Sequence, residues 1–263
     1  MDLIQAIVYG IVQGIGEFLP ISSTAHLKLI PFITGWDAPP PAFEVALHLG
    51  TAAAVILFFF KDWVNLIFSG LTKPKSQDGK LFWFLVVATI PGGIAGLLFS
   101  EYADKIVNPA LIGILLIVMG FVLYFADKFG RNEIDIKKIG IKESLIVGIS
   151  QMLAIIPGVS RSGITMSAGR AIGITREGIA KFTFLLSTPI VLLDGLYHLK
   201  DMGRVPDKVS FFTAILTAAI VGILSIKFIL DYLKKKGFGI FAVYRFLFGA
   251  FIIILYIIKD VIK

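Results

Sequence analysis

Two long apolar stretches of this chain, residues 2–34 and 142–175, are each broken near the middle by proline, glycine and hydroxyl side chains. A break at membrane depth frees backbone polar groups that lipid cannot satisfy, so it survives only where protein or a wet cavity covers it. Both stretches are therefore expected to fold as re-entrant helix-turn-helix hairpins. Six further apolar stretches, at about 42–61, 81–100, 109–127, 179–199, 210–231 and 239–258, approach the length of roughly 20 residues that a bilayer crossing needs. The charge content agrees: 16% of residues are charged, against about 25% in soluble domains. The predicted fold class is an all-α polytopic membrane protein, one integral membrane domain over 1–263, with about six transmembrane helices plus two re-entrant helical hairpins. No charged segment or small-residue cleavage site precedes the first apolar stretch, so no cleaved signal peptide is expected. Cysteine is absent, which excludes disulfides and thiolate metal sites. The net charge of +7 is the ordinary result of lysines beside membrane spans, and no nucleic-acid partner is expected.

The two broken stretches begin a repeat. Gly10-Ile11-Val12-Gln13 recurs as Gly148-Ile149-Ser150-Gln151, an offset of 138 that Ala42 and Ala180, and Leu47 and Leu185, also share. After the repeated glutamine both copies run to a proline (Pro20, Pro157) and a hydroxyl-rich turn. Each half, approximately 1–130 and 138–263, then holds one hairpin and three spans, and an odd span number sets the halves in opposite orientations, an inverted-topology repeat. Loops 62–80, 128–142 and 232–238 hold most of the lysines and should be cytoplasmic, whereas 101–108 and 200–208 are poorer in Lys and Arg. The first hairpin then enters from outside, the second from the cytoplasm, and their tips can meet near mid-membrane.

The chemistry is concentrated at those tips. Residues Pro157 to Thr165 contain Arg161, the hydroxyls Ser160, Ser162 and Thr165, two glycines and a proline. A buried arginine among freed amides and hydroxyls suits an anion, phosphate in particular. On the first hairpin, Gln13 and Glu17 lie four residues apart and share a helix face. Glu17, Ser22, Ser23, Thr24 and His26 put a carboxylate, hydroxyls and an imidazole on one short segment, the inventory for activating a serine or a water. A hard divalent cation (Mg2+ or Ca2+) held by Glu17 and substrate phosphate oxygens is also consistent with this set. Glu44 is expected to stay solvated, His48 to make a satisfied polar contact, and Asp194 to snorkel or pair with His198. Arg170, Arg176 and Lys181 are expected to anchor to lipid headgroups.

These residues resemble the undecaprenyl-diphosphate phosphatase family, also called the bacitracin-resistance protein family. One family signature, a Glu or Gln four residues before Glu and then a Pro-x-Ser-Ser-Thr-x-His turn, stands here as Gln13, Glu17 and Pro20 to His26; the other, Pro-Gly-x-Ser-Arg-Ser-x-x-Thr, is met from Pro157 to Thr165. Many members carry Glu where this chain has Gln13, so a single carboxylate stands where others have two. The resemblance implies hydrolysis of a C55-type polyprenyl diphosphate to the monophosphate and inorganic phosphate. That reaction recycles the lipid carrier for cell-envelope glycan synthesis and confers bacitracin resistance. It implies a multi-pass cell-membrane protein with an active site open to the outer face. Glu17, Ser23, His26 and Arg161 would be catalytic, with Glu17 as the metal-associated group, and Gln13, Ser22, Thr24, Ser160, Ser162 and Thr165 would bind substrate. Whether Ser23 attacks or a water does so directly, and whether the protein forms a homodimer, is left open. The rival reading is a transporter or flippase of a phosphorylated lipid or anionic solute, because broken helices in inverted repeats also suit transport.

Overall fold

The computed structural model describes residues 1–198 and 207–261, without the side chains of 100, 101, 104 and 194–198. In chain order the α-helices are α1 (Leu3–Phe18), α2 (Ser23–Thr34), α3 (Pro41–Phe58), α4 (Phe60–Thr72), α5 (Gln77–Ile106), α6 (Pro109–Phe129), α7 (Ile141–Ser150), α8 (Arg161–Ala171), α9 (Arg176–His198), α10 (Lys208–Leu233) and α11 (Gly239–Val261). A five-residue 3-10 turn, Gln151–Ile155, separates α7 from α8. The described residues contain no strand; one isolated bridge joins Ile134 and Ile174.

Among the described residues, five helices are long and apolar enough to cross a membrane: Pro41–Phe58, Gln77–Phe99, Pro109–Phe129, Lys208–Leu233 and Gly239–Val261. They make this a multi-pass membrane protein. The sixth expected span, 179–199, runs past the described residues; its described part lies in α9. The expected loop 62–80 is corrected. Most of it is α4, whose exposed Val64, Ile67, Phe68 and Leu71 recur at helical spacing, so the chain coils there instead of crossing as an open loop.

The two broken stretches resolve into helix pairs. Asp2 caps α1 with a reciprocal pair of bonds to Gln5, its carboxylate accepting from Gln5 N at 2.7 Å. The chain turns over residues 19–22 and restarts at Ser22, whose hydroxyl caps α2. In the second stretch Ser160 caps α8 by accepting from Gly163 N at 3.1 Å. Ser22 and Ser160 are the two non-glycine residues with positive φ among the described residues, at 76° and 75°. This backbone is costly for a residue with a Cβ, and such strain collects at functional sites.

The helix pairs pack crosswise. Helix α1 lies against α10, while α7 lies against α5, and α6 pairs with α11. Small residues permit the close approach: a Cβ on Gly14 would stand 2.9 Å from the Ala218 carbonyl oxygen of α10. Lipid tails are as apolar as leucine, so it is packing and interhelical hydrogen bonds that hold helices together in a bilayer.

Asp127, near the end of α6, forms a buried polar lock. It accepts from Arg170 Nε at 3.0 Å, from Arg176 Nε at 2.7 Å and from the Phe238 amide at 3.0 Å. Arg170 is fully buried and also donates to the carbonyls of Gly130 and Ile174. Lys181 pairs with Asp62. All three cations that were expected to anchor to headgroups thus have carboxylate partners within the protein, and for Arg170 burial makes such partners obligatory. The expected Asp194–His198 pair lies outside the described side chains. Asp127→Ala strands two guanidinium groups, so it should cost about 3–5 kcal/mol, the range for breaking a buried ion pair from one side. The thermal midpoint of the detergent-purified variant should fall sharply, while Asp127→Asn, which keeps an acceptor, should lose less.

Candidate active site

The turns at 19–22 and 156–160 meet in the protein interior. Ser162 Oγ donates to the Leu19 carbonyl at 3.1 Å, across 143 residues of sequence. The Arg245 guanidinium, fully buried, binds both turns at once: Nη1 donates to Pro20 O at 3.1 Å, and Nη2 to Gly158 O at 2.6 Å and Val159 O at 3.1 Å. Its Nε donates to Leu116 O of α6. Turn carbonyls that lipid could not satisfy are thus satisfied by one cation, and the turns are held in register.

A cleft opens where the turns meet. It is lined by Gly16, Glu17, Ser22, Ser23, Thr24, His48, Ala154, Ser160, Arg161 and Ser162. Gly16 lets the end of α1 approach the start of α2, since a Cβ there would lie 2.7 Å from Ser23 Cα. Within the cleft Ser23 Oγ donates to Glu17 Oε2 at 2.8 Å. The same carboxylate oxygen accepts from Gln13 Nε2 at 3.2 Å. Arg161 Nη1 lies 3.6 Å from Glu17 Oε1, an ion pair too long for a hydrogen bond. That Nη1 is buried and has no hydrogen-bond acceptor. A buried guanidinium nitrogen facing the cleft without an acceptor is primed for an anion.

The sequence-predicted residues divide into two groups. Glu17, Ser22, Ser23, Thr24, Ser160, Arg161 and Ser162 all line the cleft. Gln13, Thr165 and His26 do not. Gln13 is buried behind Glu17, its Nε2 reaching Glu17, His48 and Thr51. Thr165 is buried in α8, donating to Arg161 O at 2.7 Å and accepting from Thr183 Oγ1 at 3.1 Å, and so steadies the helix that carries Arg161. His26 is turned toward α11: Nδ1 lies 2.7 Å from Ser22 O, Nε2 lies 2.6 Å from the Tyr244 hydroxyl, and the ring stacks on Phe248 at 4.6 Å. Both its nitrogens are occupied away from Glu17 and Ser23. Glu44 is exposed near the start of α3.

No group of three or more His, Cys, Asp or Glu that could hold a metal occurs among the described residues. The cleft offers oxygen donors instead. Glu17 is its carboxylate, and Gln13 Oε1 behind it is buried without a hydrogen-bond partner. A hard cation that takes part of its shell from substrate phosphate fits such a set.

The sequence profile of bacitracin resistance protein BacA matches residues 6–251. The chain belongs to the BacA family. An undecaprenyl-diphosphatase of Moorella thermoacetica is 50% identical over 254 residues, covering 96% of this chain and 97% of that protein. Undecaprenyl-diphosphatases of Pelotomaculum thermopropionicum and Caldicellulosiruptor bescii are 48% and 46% identical, covering 97% and 99% of this chain and 97% and 100% of those proteins. In this BacA-family chain two site residues escape a motif-led reading. Arg245 lies inside the apolar helix α11, and a charge in such a helix was the available signal. His48 lies in α3, 35 residues from Gln13, and no local pattern ties the two together.

Proposed function

We propose that this chain hydrolyses undecaprenyl diphosphate to the monophosphate and inorganic phosphate, and thereby recycles the lipid carrier of cell-envelope glycan synthesis and confers bacitracin resistance. The observation that carries the reading is the cleft itself: the Ser23 hydroxyl bonded to Glu17 at 2.8 Å beside a buried Arg161 nitrogen that lacks an acceptor. Full-length relatives named undecaprenyl-diphosphatase support it. Phosphoryl transfer needs positioning and charge neutralisation above all. Arg161 and the hydroxyls of Ser160 and Ser162 grip the diphosphate. Glu17 takes the proton of Ser23 as its oxygen attacks the terminal phosphorus in line. The bridging oxygen leaves with the bonding pair as the lipid monophosphate, and water then cleaves the phosphoserine. In the other version water attacks directly and Ser23 only orients it. Thr165 and Gln13 support this set from behind, and Ser22 and Thr24 line it. His26 acts as a positioning group on the Ser22 carbonyl. A divalent cation (Mg2+ or Ca2+) held by Glu17 and substrate phosphate oxygens would neutralise phosphate charge.

The same reading takes the chain as one membrane domain with two inverted halves and two re-entrant helix pairs. The matched strained caps Ser22 and Ser160, and the reciprocal packing of α1 on α10 and α7 on α5, support it. Lysine-rich loops on one side support a cytoplasmic face there and a site open to the outside. Assembly as a homodimer is compatible with it. Nothing in the cleft calls for transport, whereas the Ser23–Glu17 pair suits hydrolysis.

The test is phosphate release from long-chain polyprenyl diphosphate by the purified protein in detergent. Turnover is expected, with loss in EDTA and recovery on adding back Mg2+ or Ca2+. Absence of phosphate release, combined with lipid flux in proteoliposomes, would favour the transporter.

A further inference from the structure

Of the two imidazoles near the cleft, one faces it, and it is not the one in the motif. His26 is committed on both nitrogens to Ser22 O and Tyr244 and is stacked on Phe248. His48 lines the cleft with Glu17, Ser23 and Arg161. Its Nδ1 lies 3.3 Å from Gln13 Nε2. The orientation of the Gln13 amide follows from its neighbours. Its nitrogen, not its oxygen, must face the Glu17 carboxylate, because a carboxylate only accepts. With one N–H on Glu17, the second N–H of that nitrogen is shared between His48 Nδ1 at 3.3 Å and Thr51 Oγ1 at 3.4 Å, and the nearer Nδ1 is placed to accept it. A neutral imidazole whose Nδ1 accepts carries its proton on Nε2. The chain from Glu17 through Gln13 to His48 thus selects one tautomer.

We propose that His48 is a substrate-contacting residue of this site, presenting a neutral Nε2–H donor to a phosphate oxygen of the bound diphosphate. The inference rests on the hydrolytic reading above. It gives the buried Gln13 a second task, orienting the donor that faces substrate. No proton is transferred by His48: Glu17 takes the proton of Ser23, and the imidazole acts as a fixed dipole. Removing one preorganised donor to a charged transition state costs about 10²–10³ in rate. A donor role, unlike acid–base catalysis, is filled by any side chain of similar reach that carries an N–H. Glutamine meets that requirement and leucine does not.

The experiment compares phosphate release from a long-chain polyprenyl diphosphate by wild type, His48→Leu and His48→Gln, each purified as the full chain. His48→Leu should lose about 10²-fold in kcat/KM, and His48→Gln should recover to within about tenfold of wild type, the rescue expected of a donor. His48→Met, equally without a donor, replaces His48→Leu if the latter does not purify as a folded protein. A donor-less variant within about threefold of wild type overturns the proposal, and so does a His48→Gln variant as poor as His48→Leu, which would make the imidazole a proton carrier. A wild type inactive on this substrate instead overturns the hydrolytic reading itself, so the two failures are distinguishable.

Discussion

Arg161→Ala is expected to abolish nearly all phosphate release while leaving a folded, monodisperse protein. The expectation follows from two opposite properties of the side chain. Its Nη1 is buried and lacks a hydrogen-bond acceptor, so it contributes little that holds the fold together. Its 3.6 Å pairing with Glu17 is loose, and after its removal that carboxylate still accepts from Ser23 and Gln13. In the proposed reaction the phosphate, in contrast, would lose the guanidinium that grips it. Arginines that stabilise phosphoryl-transfer transition states contribute about 10³–10⁵ in rate, so a loss of at least about 10³-fold should be seen. Arg161→Lys should recover only part of it, because a point charge does not reproduce the planar fork. Steady-state phosphate release, with size-exclusion profiles of each variant, measures this. Near wild-type turnover by Arg161→Ala would falsify the assigned role.

Ser23→Ala should be comparably damaging. Its hydroxyl is the oxygen nearest the Glu17 carboxylate, at 2.8 Å, and its backbone is held by the strained turn at Ser22. Loss of a nucleophile activated by a neighbouring base typically costs about 10³-fold or more. The substitution removes one oxygen at the wall of a cleft, so stability should change little. Rapid-quench detection of a phosphoserine in wild type, and its disappearance in the variant, would establish the covalent route. Retention of more than about a tenth of the rate would instead assign the attack to water, with Ser23 as an orienting group.

The two substitutions probe elements that the sequence marks to different degrees. Apolar runs near bilayer length, and the interruptions in 2–34 and 142–175, are local properties, and they translated into helices with turns where the interruptions stand. Ser22 and Ser160 were visible as hydroxyls after a proline, and they became the caps of α2 and α8. Amphipathic α4 was read as loop because its charges and Ser, Gly and Pro neighbours hide a short helical period. Arg170 and Arg176 read as headgroup anchors, yet they meet on Asp127, since side-chain type alone does not say which face of a helix is covered.

Hydropathy and motif spacing were thus enough to establish a helical membrane chain and to single out Glu17, Ser23 and Arg161, which the fold brings to one cleft. Each of those readings rests on residues close together along the backbone. Which imidazole enters the cleft, and which cation holds the two turns together, came from folding alone. His48 and Gln13 meet across 35 residues, and Arg245 reaches Pro20 across 225. Contacts of that span depend on how helices pack and which rotamers the packing leaves open, and no local pattern encodes them.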